Sequence, residues 1–182
     1  MKKTIILLST ILLTGLAHAG QSAPQAMVAK KSIKAFGGQL KGALVTAMKA
    51  GGPMNAVSAC NLKAPQIAEQ ANKDSSTHIS RTSLKNRNPG NAPNEWQRAV
   101  LLKFEERKAA GEDVAKMEYS EVVGDEFRYM KPIPTAEICL KCHGASIDPK
   151  LTAKLDELYP EDKARGFNKG DIRGAFYVSM PK

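Results

Sequence analysis

The pentapeptide Cys-Leu-Lys-Cys-His at residues 139–143 has the spacing with the clearest chemical meaning in this chain. Two thiols three residues apart, Cys139 and Cys142, fall on neighbouring sides of a helical turn, where both can add to the vinyl groups along one porphyrin edge. The next residue, His143, then presents an imidazole beneath the iron. This CxxCH spacing is typical of covalent haem attachment, and a single copy predicts a single haem c.

Four other interpretations of the motif stay open on the residues alone. The segment could be a chance match or a plain disulfide between its two cysteines. A thioredoxin-like redox pair would follow a strand of a βαβ unit, whereas this motif follows Pro132 and Pro134. A zinc site is the remaining alternative, with four candidate ligands: Cys60, His78, Cys139 and Cys142.

A third cysteine, Cys60, leaves the chain with an odd number of thiols, which does not suit a disulfide framework. Its side chain falls on the apolar face of a predicted helix, so it is either a small buried hydrophobe or the second axial ligand of the iron. A thiolate ligand donates electron density and stabilises the ferric state. The competing ligands are His78 and five methionines that are most simply core residues: Met48, Met54, Met117, Met130 and Met180.

The beginning of the chain predicts export. Two lysines precede an apolar run at residues 5–16, and Ala17-His18-Ala19 has the small-x-small pattern of a cleavage site. The apolar run is too short to span a bilayer. We therefore expect a signal peptide at residues 1–19, one haem domain at residues 20–182, a periplasmic location and no integral membrane segment after cleavage.

The charge balance narrows the choice of partner. The formal net charge is +9, and removal of two lysines with the signal leaves +7. This excess is either a solvated basic surface or a means of steering the domain toward an acidic partner. No basic run is interleaved with aromatic residues, so nucleic acid is not an expected partner.

Apolar periodicity predicts the elements that position these residues. Residues 25–50 repeat apolar side chains at three- and four-residue steps, as in an amphipathic helix that ends at Gly51-Gly52. A second helix is expected to start near Pro53 and to carry Cys60 one turn before a kink at Pro65.

The rest of the chain predicts an α+β fold, with a small antiparallel sheet flanked by helices. Two prolines, Pro132 and Pro134, are expected to end the second strand of a hairpin. Strands are predicted at 77–81 and 175–180, with a hairpin over 117–130 that turns at Gly124-Asp125. Helices are predicted from a capping box of Asn94 and Gln97 to Ala110 and over 149–158. The predicted loops are an Asn- and Pro-rich segment at 85–93 and a segment at 166–174.

Five motifs in a fixed order carry a resemblance to a known family. They are LKGALVTAMKAGGPMNAVSACNLKAP at 40–65, ISRTSLKNRNPGNAPNEW at 79–96, RYMKPI at 128–133, CLKCHG at 139–144 and YPEDKARGFNKGDIRGAF at 159–176. Over roughly residues 35–180 the chain resembles the bacterial single-haem c-type domains of unassigned function. These domains occur alone and as sensory input domains of membrane signalling proteins.

The resemblance implies a PAS-like fold that holds one haem. It also implies that the iron lies between the CxxCH histidine and a cysteine from the second helix, which are His143 and Cys60 in this chain. Three arginines stand in or beside the matching motifs: Arg81, Arg87 and Arg128. Each is either a partner of a haem propionate, for which a guanidinium fork is well shaped, or a structural anchor. Arg81 is the first candidate for the propionate role.

These observations predict a periplasmic electron-transfer protein with a His/Cys-ligated haem of low potential and a redox protein as its partner. The alternative is a redox or gas sensor in which a labile Cys60 yields the sixth site to carbon monoxide or nitric oxide. An enzyme is disfavoured, because a six-coordinate iron has no free position and the sequence offers no distal acid–base constellation beyond His78.

Overall fold

Four helices and four strands make up the described part of the chain, residues 22–73 and 75–182, in this computed structural model. The predicted signal peptide at residues 1–19 lies outside the described residues. The helices are α1 (Ala23–Asn72), α2 (Glu95–Ala109), α3 (Leu140–His143) and α4 (Pro149–Leu158), and the strands are β1 (His78–Thr82), β2 (Tyr119–Val123), β3 (Glu126–Pro134) and β4 (Ile172–Pro181).

The long helix α1 is broken once, at Gly51 and Gly52, where the backbone leaves the helical region. Gly52 has φ +66°, a conformation that favours glycine. The Asn55 amide donates to the carbonyl of Ala47 at 3.0 Å and bridges the break. The two predicted helices are therefore confirmed, and they meet where the two glycines stand. The expected kink at Pro65 does not interrupt the helix, whose dihedral angles remain helical through that proline.

The four strands form one antiparallel sheet in the order β1-β4-β3-β2. The predicted hairpin is β2 and β3, and its turn has Gly124 at φ +63°. The predicted first strand is also present, as β1. The last strand begins at Ile172, so the end of the expected loop at 166–174 was wrong.

Of the two prolines expected to end the second hairpin strand, Pro134 is its last residue, whereas Pro132 lies inside β3 and does not end it. Pairing with β2 ends at Met130, whereas pairing with β4 continues beyond that point. The last part of β3 thus has a neighbouring strand on one side only. An edge of this kind tolerates residues that lack a backbone N–H.

Each face of the sheet is covered by a helix. The first half of α1 packs Ile33 and Phe36 against Ile79, Phe127 and Val178. On the other face α2 contributes the apolar side chains Val100, Leu101 and Phe104 to a second cluster. The expected α+β fold, with a small antiparallel sheet flanked by helices, is confirmed.

Local signals in the sequence explain where α2 and α4 begin. Asn94 accepts from the Gln97 backbone N–H at 2.8 Å, and the Gln97 side chain accepts from the Asn94 N–H at 3.1 Å, which is the predicted capping box. Asp148 caps α4 by accepting from the N–H groups of Lys150 and Leu151. No helix within residues 22–73 and 75–182 combines the length and the apolar character that a bilayer crossing requires.

The second half of α1 and α4 together position the CxxCH segment. Val57 of α1 packs with Leu151 and Leu155 of α4, and Cys142 is packed against this cluster. This apolar contact joins the helix that carries Cys60 to the segment that carries the haem-attachment motif. Two regions separated by about eighty residues of sequence thus meet at one end of the fold.

Candidate functional site

The CxxCH segment folds as two consecutive short helical turns. A 3₁₀ turn at Glu137–Cys139 leads directly into α3, and Gly144 closes that turn with a 2.9 Å hydrogen bond from its N–H to the Leu140 carbonyl. Cys139 and Cys142 are half-buried free thiols. Burial raises the pKa of the Cys142 thiol, although the nearby Arg87 charge lowers it. The predicted helical turn, with both thiols at its sides, is therefore present.

His143 is held by one of its two ring nitrogens. Its Nδ1–H donates to the Ala164 carbonyl at 2.8 Å, because a carbonyl can only accept, and this bond fixes the tautomer. Phe167 meets the imidazole edge-on, with ring centroids 6.3 Å apart. Burial, together with the positive charges of Arg173 and Arg87, lowers the pKa of His143 to about 3. The ring is therefore neutral, and its Nε2 has no hydrogen-bond partner in the described residues.

A buried ion pair fixes the loop that holds this histidine. Arg87 binds Asp162 through two nitrogens, each 3.1 Å from a carboxylate oxygen. The same guanidinium donates to the carbonyls of Cys142 at 2.6 Å and Ala164 at 3.3 Å. Asp162 also accepts from the Ala164 N–H at 2.8 Å. Arg87 and Asp162 thus form a clamp between the Asn- and Pro-rich loop, the CxxCH turn and the backbone partner of His143.

The clamp is charged in the folded protein. Burial opposes ionisation of Asp162, but hydrogen bonds from Arg87, Arg165 and the Ala164 N–H outweigh it and hold the pKa of that carboxyl below its usual value. The side chain of Asp162 is 1% exposed and that of Arg87 is 12% exposed. Of the two roles considered for Arg87, the geometry favours the structural one, because its Nε and Nη2 already donate to protein acceptors.

Cys60 lies in the second half of α1, half-buried, on the side that meets the CxxCH segment. Burial raises the pKa of its thiol, while the charges of Arg81 and Arg87 lower it. Cys60 in turn contributes to the raised pKa of Cys142. The structure therefore brings the three cysteines and two of the predicted arginines within electrostatic range of one another.

Arg81 extends from β1 on the same face of the sheet as Ile79, toward α1. Burial lowers the pKa of Arg81, and Cys60 and Tyr159 raise it. Arg128 lies elsewhere. It pairs in register with Ser179, about 20 Å along β4 from Arg173, and it binds Glu126 and stacks over Trp96. The structure therefore does not bring Arg128 to this site.

His78 is also separated from the cysteines. It alternates with Ile79 and Arg81 along β1, so it faces the opposite side of the sheet, where its ring lies 6.4 Å from that of Tyr177. Within residues 22–73 and 75–182, no three His, Cys, Asp or Glu side chains converge as a metal-ion site. The zinc alternative, which needed His78 with the cysteines, has no support in this geometry.

Sequence reasoning missed three residues of the site: Asp162, Ala164 and Arg173. All three lie in the motif YPEDKARGFNKGDIRGAF, whose pattern by itself indicates no chemistry. The motif contains three acidic and four basic residues, so its composition does not single out Asp162. Its partner Arg87 lies 75 residues earlier in the chain, and spacing within the motif does not reveal such a contact.

The fold and this motif define an α+β domain whose CxxCH turn is held against the second half of a broken first helix. The model of the Tll0287-like family matches residues 15–181, so the chain belongs to that family. Among solved structures, it is similar to the cyanobacterial heme-protein Tll0287 at 21% identity, with a TM-score of 0.63 over 90% of this chain and 96% of that chain. At this identity the similarity shows the fold. No curated protein matches the chain significantly.

Proposed function

We propose that the chain is a single-haem c-type cytochrome domain, with thioether bonds from Cys139 and Cys142 and with His143 as an axial ligand. The observation that carries the proposal is the state of His143. Its Nδ1 is fixed on a backbone carbonyl, its ring is neutral and its Nε2 is free. Ligating histidines are oriented in this way by a hydrogen bond at the other nitrogen. The family match and the haem protein of the same fold support the assignment.

The other residues of the site fit a haem. Two half-buried thiols flank the turn that precedes the histidine, and both are free to form thioethers. Val57, Leu151 and Leu155 supply apolar packing beside them, as a porphyrin face requires. The bound haem would supply one-electron chemistry at its iron. The protein's own part is to fix the imidazole, to exclude water with apolar side chains and to place counter-charges.

Cys60 is the proposed second axial ligand. It is half-buried and lies three residues after Val57 on α1, the residue whose apolar cluster has Cys142 of the CxxCH segment packed against it. Burial raises the pKa of its thiol, but the positive charges of Arg81 and Arg87 oppose that rise and favour the thiolate that would bind iron. A His/Cys pair stabilises the ferric state and gives a low potential.

Electron transfer is the function that this site supports best. Two axial side chains leave the iron without an open position, and the fixed histidine limits reorganisation when the charge of the iron changes. We propose a periplasmic location for the mature domain, because CxxCH maturation and the predicted signal peptide are consistent with export. Its partner would be a second redox protein.

Replacing the proposed ligand tests the assignment. In Cys60→Ala the ferric absorption spectrum should lose its thiolate signature while the haem stays covalently bound. Met54→Leu is the matched control, because Met54 lies on the same half of α1, is 43% exposed and was a competing ligand. An unchanged ferric spectrum in Cys60→Ala would show that another group ligates the iron.

The break at Gly51 and Gly52 favours a second function, a redox or diatomic-gas sensor. Cys60 lies on the half of α1 beyond this break, so a shift of that half relative to the first would withdraw the proposed ligand and let carbon monoxide or nitric oxide bind. Absorption spectra of the reduced protein with and without carbon monoxide separate the two functions. A reduced spectrum that ignores carbon monoxide supports electron transfer, whereas fast binding supports the sensor.

A further inference from the structure

Strand β4 contains a bulge whose extra residue is Arg173. Along β3, Ile133 pairs with Gly174 and the next residue, Pro134, pairs with Ile172, so Arg173 has no partner in the ladder. A bulge redirects the side chain of its extra residue. The bulge also requires glycine at the next position, because a Cβ on Gly174 would lie 2.4 Å from the carbonyl oxygen of Thr82.

The bulge aims Arg173 into the CxxCH region. Its guanidinium lies 5.2 Å from the ring centre of Phe167, the residue that stacks on His143. One terminal nitrogen donates to Ser83 Oγ at 3.3 Å and to the Lys85 carbonyl at 3.2 Å. Its Nε, in contrast, is fully buried and has no hydrogen-bond partner among the described residues. A buried N–H without an acceptor is costly and needs an explanation.

The charges around Arg173 do not balance. Burial, together with the positive charges of Arg87 and Arg81, lowers the pKa of Arg173 to about 10. Of these three arginines, Arg87 forms an ion pair with the Asp162 carboxylate. Within residues 22–73 and 75–182, neither Arg81 nor Arg173 forms an ion pair with a carboxylate. Two half-buried cations therefore lack counter-ions among the described residues, which is unfavourable unless an anion binds.

We propose that Arg173 and Arg81 together bind the two propionate carboxylates of the haem. The inference rests on the proposed function and adds the residues that recognise the acidic end of the cofactor. Two unmatched guanidinium groups correspond to the two negative charges that a haem carries on its propionates. A guanidinium fork is well shaped for a carboxylate, and the orphaned Nε of Arg173 is a ready donor.

Arginine variants of the mature haem protein test this proposal. Arg173→Gln should shift the propionate bending band in the resonance Raman spectrum and lower the midpoint potential, because a positive charge near the haem is lost. Arg173→Lys should keep most of the potential but still shift the band, because lysine cannot form the forked contact. The matched control is Arg98→Gln, which removes the same charge from an exposed position on α2.

Each outcome either supports or overturns the proposal. An unchanged propionate band in Arg173→Gln, with a potential equal to that of Arg98→Gln, overturns the role of Arg173. If Arg173→Gln does not fold, Arg173→Lys and Arg81→Gln provide the same test, and unchanged bands in both overturn the proposal. A parent protein without covalently bound haem overturns the proposed function itself, and this result is visible before any variant is made.

Discussion

The region under α2 and the region around the CxxCH turn are stabilised in different ways. Beneath α2 the sheet is covered by side chains that are almost completely buried, among them Leu101, Phe104, Met117 and Met130. At the CxxCH turn Cys139, Cys142 and His143 are half-buried, and polar contacts such as the clamp of Arg87 and Asp162 hold the backbone. In the first region the buried apolar side chains pack against one another. Within the described residues the second keeps an imidazole nitrogen and cations without partners, as the proposed haem site requires.

The largest effect on stability is expected at the centre of the apolar region. Phe104 is 0% exposed, and Phe104→Ala removes a ring that its neighbours cannot replace. The free energy of unfolding should fall by roughly 3–5 kcal/mol, measured by denaturant unfolding of the haem-loaded protein. The ferric spectrum of the folded variant should remain that of the parent, because the two regions are separate.

Leu102→Ala is the matched control for this variant, since Leu102 is the 43% exposed residue two positions earlier on α2. It should change stability little. A spectral change in folded Phe104→Ala would mean that the apolar region also shapes the haem site, and the two regions would not be independent of each other.

A smaller loss of stability with a clear spectral change is expected from the clamp. Asp162→Asn leaves the guanidinium of Arg87 buried without its counter-charge, which should cost roughly 3 kcal/mol. Because Asp162 also orients the backbone that holds Nδ1 of His143, the ferric absorption and electron paramagnetic resonance spectra should broaden or shift. The same unfolding and spectroscopic measurements, made on one sample, check both effects.

Asp156→Asn is the matched control for Asp162→Asn. Asp156 binds Arg165, as Asp162 does, but its side chain is 61% exposed and it makes no contact with Arg87. Identical spectra for Asp162→Asn and the parent would reduce the clamp to a stabilising contact with no part in orienting the histidine.

The smallest effect is expected at Glu118, on the α1 side of the sheet, where the carboxylate accepts from Lys30 at 2.9 Å and Tyr129 at 2.7 Å. Burial opposes ionisation, but these hydrogen bonds outweigh it and hold the pKa of Glu118 below its usual value. The carboxylate therefore contributes stability above the unfolded pKa of about 4.3, and this contribution is lost as pH falls through the folded pKa.

Glu118→Gln should remove that contribution. With 42% of the side chain exposed, the difference from the parent should be about 0.5 kcal/mol near pH 7 and should vanish in acid. Denaturant unfolding across this pH range measures it, with Glu161→Gln as an exposed control. A difference that grows in acid would mean that the ionised carboxylate does not stabilise the fold.

Local signals account for the parts of the fold that the sequence predicts. Asn94 and Gln97 begin α2 as a capping box because all the atoms involved lie within four residues. The rule that prolines end strands failed at Pro132. A proline is tolerated there because the pairing of β3 with β2 ends at Met130, which is a property of the whole sheet. Pro65 leaves the helical dihedral angles intact, and the break in them lies at Gly51-Gly52 instead.

The residues of the candidate site likewise divide into those that local sequence reveals and those that only the fold brings together. Cys139, Cys142 and His143 form one turn, so their chemistry is readable from their spacing alone. The clamp joins residues 75 positions apart, and Arg173 reaches the site only because β4 bulges against β3. Neither arrangement leaves a periodic pattern in the sequence. Arg128 shows the converse, because it lies in a matching motif yet points into a different part of the molecule.

Covalent attachment of haem at the CxxCH turn is the property on which the proposed function depends most directly. The protein should be matured in a periplasm that contains haem-attachment machinery, denatured, and extracted with acidified organic solvent, with the absorption spectrum of each phase recorded. We expect the haem to stay with the polypeptide, and to enter the solvent when both Cys139 and Cys142 are replaced by alanine. Haem that extracts from the unmodified chain would show that no thioether bond forms and that the domain is not a c-type cytochrome.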